Sequence, residues 1–236
     1  YKRQVGKTTV ISNIGIGLSQ LDKKVVMLDT DMGLRNLDLV MGVEDRVNYN
    51  LIDVLDGRCR LNQALIRDKN NPNLYVIPAA LKVSGLKDYE PRLKALVGEL
   101  KNDFDFCLID GPAGIDRGFK FSIAAADRVI VVTTPHISAI RDAGYCIHLL
   151  DTYQFTDIDL IVNAYDEKMV KKHQILSVED IEEVLSTYVI GTIPIDKNVI
   201  ICQNKGISPL TIRTKSKSDF IMLSKKISLM RCADEI

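Results

Sequence analysis

Short apolar runs alternate with amphipathic stretches along nearly the whole chain. From Thr8 to Leu21, the residues Val10, Ile11, Ile14 and Leu18 recur at helical spacing and predict a helix. The same period predicts helices over Pro91 to Lys101, carrying Leu93, Leu96 and Leu100, and over about Gly118 to Ala126 and Ser138 to Tyr153. Ser177-Val178-Glu179-Asp180 is a capping signal for a helix reaching about Thr187. Between these stand runs dense in Val, Ile and Leu. They predict strands over Lys24 to Asp29, Leu74 to Pro78, Phe104 to Asp110, Arg128 to Thr133, Leu160 to Asn163 and Val189 to Ile193.

Strands apolar at nearly every position are buried on both faces, and strands that alternate with helices form a parallel sheet covered on both sides. The expected fold class is therefore α/β, in three layers, with a mainly parallel sheet. In such sheets ligands sit beyond the carboxyl ends of the strands. Polar residues gather at those ends: Asp29 to Asp38, Asp110 to Gly114, Thr134 to Ser138, and Asn163. No repeat, low-complexity tract or linker divides the chain, so residues 1–236 read as one domain.

Composition narrows the function classes. The 236 residues are 46% hydrophobic and 26% charged, an ordinary balance for a globular domain with an ample core. Thirty-one basic residues balance thirty-one acidic ones, so no broad attraction to nucleic acid is implied and no specific nucleic-acid partner is expected. No apolar run is long enough to span a membrane, and there is no signal peptide or initiator methionine, as expected of a fragment or processed chain. Cys59, Cys107, Cys146, Cys202 and Cys232 are scattered without a C-x-x-C pair and read as single thiols. The three histidines lack metal-ligand spacing.

Three segments carry chemistry. Val5-Gly6-Lys7-Thr8-Thr9 is the second half of a P-loop opening the first helix. Backbone amides and the helix dipole there favour an anion, Lys7 would reach terminal phosphate oxygens, and Thr8 would ligate magnesium. Asp29-Thr30-Asp31-Met32-Gly33 places two carboxylates just after a strand, one to organise metal-bound water and one to orient an attacking water. Leu108-Ile109-Asp110-Gly111-Pro112-Ala113-Gly114 is an apolar strand ending in an aspartate placed like a Walker B carboxylate. Singly each is compatible with a turn or a solvated face; in chain order at strand ends they point to a P-loop NTPase whose first strand is truncated, with ATP and Mg2+ as cofactors.

The run Leu28-Asp29-Thr30-Asp31-Met32-Gly33-Leu34-Arg35-Asn36-Leu37-Asp38-Leu39-Val40-Met41-Gly42 resembles the switch I segment of the MinD/ParA family of deviant Walker A ATPases, on its MinD side. The likeness continues through Asn50 to Leu55, Leu74 to Ala79, Asp110 to Ile115, Leu160 to Asn163 and Gly191 to Asp196, and covers roughly residues 2 to 212. By position it implies that Lys2 reaches the phosphates of a partner subunit, Gly6, Lys7, Thr8 and Thr9 hold the nucleotide, and Asp31 positions the attacking water. Thr8, Asp29 and Asp110 would serve the metal. Asn163 would bond the adenine edge, with Pro194 and Asp196 flanking the base. The resemblance further implies an ATP-dependent homodimer in the cytoplasm, peripheral on the inner face of the cell membrane. It would recruit a MinC-like inhibitor, answer to a MinE-like or polar-anchor regulator, and set the site of cell division. The helix near Arg141 and Asp142 lies where the family meets its partners.

Two departures qualify this. Arg3 and Gln4 stand where the family loop has glycines, each costing roughly 1–3 kcal/mol if the backbone must take positive φ. At the C-terminus, residues 217–236 carry a helical stripe of Phe220, Leu223, Ile227 and Met230, with Lys217, Lys225, Lys226 and Arg231 nearby. This segment fits a helix packed on the core better than a remnant membrane-targeting helix, a basic amphipathic form the stripe would also suit. The rival readings are a ParA-like partitioning ATPase and a nucleotide-poor scaffold with a degraded P-loop.

Overall fold

The computed structural model describes residues 5–82 and 85–233, so Lys2, Arg3 and Gln4 lie outside the described residues. Helix α1 (Lys7–Ser19) leads to strand β1 (Val25–Asp29). Three short helices follow, α2 (Leu37–Met41), α3 (Leu51–Leu55) and α4 (Leu61–Ala64), then a two-residue strand β2 (Ile66–Arg67) and β3 (Leu74–Ile77). Next come α5 (Glu90–Leu100), β4 (Phe106–Asp110), α6 (Arg117–Ile123), β5 (Val129–Thr133), α7 (Ile137–Thr152) and β6 (Ile158–Tyr165). The chain closes through α8 (Glu167–Lys171), α9 (Val178–Leu185), β7 (Val189–Pro194), α10 (Lys197–Gln203) and α11 (Lys217–Ala233).

The α/β class and the parallel pairing agree with the sequence reading. Among the described residues the strands form two sheets, β2-β3-β1-β4 and β5-β6-β7. Every pairing is parallel except that of the edge strand β2 with β3. The break falls between β4 and β5. Its physical reason is that no described segment lies between them to complete the ladder.

The periodicity accounts for the layers. In β1, Val25 and Met27 face one core and Val26 and Leu28 another, because alternate strand side chains take opposite faces. The first core joins both sheets: α1 supplies Val10, Ile14 and Leu18, α11 supplies Phe220, Leu223 and Ile227, and the second sheet supplies Ile161, Ile190 and Ile193. On the opposite side α3 and α5 cover the first sheet, while α6, α7 and α9 cover the second. The stripe of α11 is thus core, with Phe220 and Leu223 almost fully buried. Its Ser224 hydroxyl donates to the Ile14 carbonyl of α1 at 3.3 Å, and a Cβ at Gly17 would collide with that serine, which is how α1 and α11 come so close. The helix near Ser177 forms with a capping box from Ser177 and Asp180. A second capping box, Asn50 with Asp53, starts α3.

Candidate active site

Asp29 and Asp110 are in-register partners across the β1–β4 ladder. In-register residues of a parallel pair project to the same face from strands about 4.8 Å apart. Here that face is the one of Val25, Met27, Phe106 and Leu108, which looks toward α1. Thr30 secures the register by donating its N–H at 3.0 Å and its hydroxyl at 2.7 Å to the Asp110 carbonyl.

Two buried carboxylates set side by side resist ionisation. Burial pushes Asp29 up to about 7, reinforced by the Asp110 charge, although Asp29 accepts N–H bonds from Asp31 at 2.9 Å and Leu37 at 3.2 Å. Burial likewise raises Asp110 to about 6, against the Thr8 hydroxyl, which donates to Asp110 Oδ2 at 2.7 Å, and the nearby Lys7 charge. Asp31 raises both. It opens the turn after β1, where its carbonyl accepts from the N–H groups of Leu34 and Arg35. The turn is also held by a Gly33 N–H to Ala80 carbonyl bond and by the Arg35–Asp38 ion pair.

Helix α1 aims its amino end at these carboxylates. Its N-cap, Gly6, has φ of 91°, a left-handed conformation open to glycine at little cost. A Cβ at Gly6 would overlap Asn163 Nδ2. That amide, from the carboxyl half of β6, donates to the Val5 carbonyl at 2.9 Å and so anchors the loop. First-turn amides lie outside a helix's own ladder, and with the dipole they make a seat for an anion. Thr9 turns its hydroxyl to Gln203 of α10, a contact across 194 positions of sequence.

Gly6, Lys7, Thr8, Asp29, Asp31, Asp110 and Asn163 therefore come together where the sequence placed them. Asn163 also anchors the loop through its Nδ2 bond to the Val5 carbonyl. Pro194 ends β7 opposite Tyr165. Asp196 caps α10 through Asn198 N–H at 3.0 Å and also accepts from the backbone and hydroxyl of Ser216 at 3.0 and 3.2 Å. Burial alone would raise its pKa, but these bonds outweigh it and hold the carboxyl below its usual range. Its carboxylate is a buckle between α10 and the segment entering α11. Sequence reasoning missed Gln203 and Ser216, since neither sits in a motif; the Asp196-x-Asn198 spacing was the one local signal of a cap.

The donor set suits magnesium. Thr8, Asp29 and Asp110 offer hard oxygen ligands, and a cation would offset the burial that now raises both aspartates. Among the described residues no cluster of three or more Cys, His, Asp or Glu forms, so phosphate and water would complete the shell.

Comparison with known proteins gives the family. Residues 1–163 match the family described as an AAA domain. The septum site-determining protein MinD of Synechocystis sp. is 46% identical over 214 residues, which span 91% of this chain and 80% of that protein. MinD in the MinC:MinD cell division complex of Aquifex aeolicus is 37% identical with a TM-score of 0.87, over 94% of this chain and 90% of that one. MinD of Pyrococcus horikoshii, solved in complex with Mg-ADP, is 28% identical with a TM-score of 0.83, over 96% and 92%. In sequence and in fold, the chain belongs to the MinD family of cell-division ATPases.

Proposed function

We propose that the ATPase cycle of this chain controls where the division septum forms, through ATP-dependent pairing of two copies at a membrane. The observation that carries the ATPase reading is the Thr8–Asp110 hydrogen bond at the head of α1, with Asp29 in register beside it. Lys7 and the first-turn amides of α1 hold the phosphates. Thr8, Asp110 and Asp29 hold the metal or its water, and Asp31 orients the attacking water. Bound Mg2+ neutralises charge on the terminal phosphate oxygens. Asn163, Pro194 and Asp196 border the base.

The finer reading rests on family membership. Lys2 of each copy reaches the other copy's phosphates, so the dimer forms only with ATP. The dimer lies on the cytoplasmic face of the cell membrane, recruits a MinC-like inhibitor, and is released or held by a MinE-like or polar-anchor regulator. The MinC:MinD complex of Aquifex aeolicus supports the inhibitor as partner.

Phosphate release tests the catalytic core. Asp31→Ala should bring turnover to background while leaving ATP affinity within roughly threefold; an equal loss of both contradicts a water-positioning role. Calorimetric titration with ATP and magnesium tests the nucleotide site itself, and absence of heat at millimolar ATP would leave only a scaffold.

A further inference from the structure

Helix α10 ends against the first turn of α1. There Gln203 Nε2 donates to the Thr9 hydroxyl oxygen at 2.5 Å. Two further bonds bind the same turn. Ser208, beyond α10, donates to Asn13 Oδ1 at 3.1 Å, and Asn13 Nδ2 donates to the Thr9 carbonyl at 2.8 Å. Asn13 is almost fully buried. Both ends of α10 are held. Asp196 buckles its start to Ser216, and past its end Gly206 meets Gly42 so closely that a Cβ on Gly206 would stand 2.8 Å from the Gly42 Cα. A side chain carried on a fixed element can orient its partner.

The Gln203 bond fixes the polarity of the Thr9 hydroxyl. A hydroxyl has one hydrogen to donate and two lone pairs with which to accept. Gln203 takes a lone pair, so the hydrogen is left to give. A helical threonine commonly gives it to a carbonyl three or four residues back. Here those carbonyls are Gly6, which accepts from Val10 N–H at 2.9 Å, and Val5, which accepts from Asn163 at 2.9 Å. An anion at the helix end is the better acceptor, because a hydrogen bond to a charged oxygen is about twice as strong as a neutral one.

We propose that Gln203 is a positioning residue of the phosphate seat, holding the Thr9 hydroxyl as a donor to the phosphate group nearest the nucleoside. Direction carries the choice of phosphate. Thr8 turns to Asp110 and the metal side. Thr9, about 100° further round the helix, turns to α10, which Asp196 caps. With the base beside Asp196, the row of phosphates runs from the Thr9 side to the Thr8 side. The inference rests on the nucleotide reading of the site and adds to it a residue far from the P-loop in sequence.

Calorimetry with ADP and magnesium tests it on the parent, Gln203→Met, Thr9→Val and the double variant. Methionine keeps the side chain's length and suits a helix, but it cannot donate. Each single change should weaken ADP binding roughly tenfold, and the double variant should stay within about threefold of Thr9→Val alone, because Gln203 acts through Thr9. ADP with sulfur in place of a non-bridging oxygen on the phosphate nearest the ribose gives a second reading, which needs only Gln203→Met. The parent should bind this analogue roughly fivefold more weakly than ADP, and Gln203→Met should bind the two alike. Unchanged ADP affinity in Gln203→Met, losses that multiply in the double variant, or a sulfur penalty equal in parent and variant overturns the proposal and leaves the nucleotide reading standing. A parent that gives no heat with millimolar ADP overturns both.

Discussion

Asp29→Asn separates the electrostatic account of the site from a merely packed one. Asp29 is fully buried and its pKa stands at about 7 rather than the ordinary 3.8. The folded state therefore keeps its proton to higher pH than the unfolded chain does, and stability falls as pH rises from about 4 to about 7. At about 1.4 kcal/mol per pH unit, ionised Asp29 destabilises the ligand-free fold at pH 8 by about 4 kcal/mol. Asparagine removes that term at every pH. It has one acceptor oxygen for two N–H groups, Asp31 and Leu37, so one is left unsatisfied at a cost of about 1–3 kcal/mol. The variant should be more stable than the parent by about 2 kcal/mol at pH 8 and less stable by about 1 kcal/mol at pH 4.5. Urea denaturation without nucleotide or magnesium at the two pH values reads the difference. A stability change of the same sign and size at both would refute a buried, repelling carboxylate pair.

Gly6→Ala should lower ATP affinity at least roughly tenfold by calorimetry, because positive φ and the overlap with Asn163 together cost more than about 1.4 kcal/mol; unchanged affinity would mean that the loop tolerates a side chain there. Asp196→Ala removes the cap of α10 and the bond to Ser216 and should cost about 1–2 kcal/mol in chemical denaturation. A neutral result there would leave the buckle without energetic meaning. Phe220→Ala should cost about 3–5 kcal/mol, whereas Leu229→Ala, at 70% exposure on the same helix, should stay within about 0.5 kcal/mol. Similar values for the two would place the stripe of α11 outside the core.

The site was legible because each of its parts is local. An aspartate ending an apolar strand, and a Gly-Lys-Thr opening an amphipathic helix, are visible in a few residues each. The short helices were not. In α2, α3 and α10, which run to five, five and seven residues, an apolar stripe hardly completes one turn, and α10 buries only Val199 and Cys202. Gln203 of α10 was invisible for that reason, although it meets Thr9. The stripe Phe220, Leu223 and Ile227 was legible as a helix face, yet periodicity is the same whether that face meets a membrane or α1.

The sequence alone determined which of the longer segments are helix or strand, which of their faces are apolar, and which polar residues stand at strand ends, because side-chain period is a property of neighbouring residues. Tertiary structure decided that Asp29 and Asp110 oppose each other in register, that Asn163 reaches back to Val5, and that the ladder breaks between β4 and β5. Those facts depend on strand order and on contacts between residues up to 158 positions apart. No local pattern encodes them, because they follow from which surfaces bury one another once all the elements have formed.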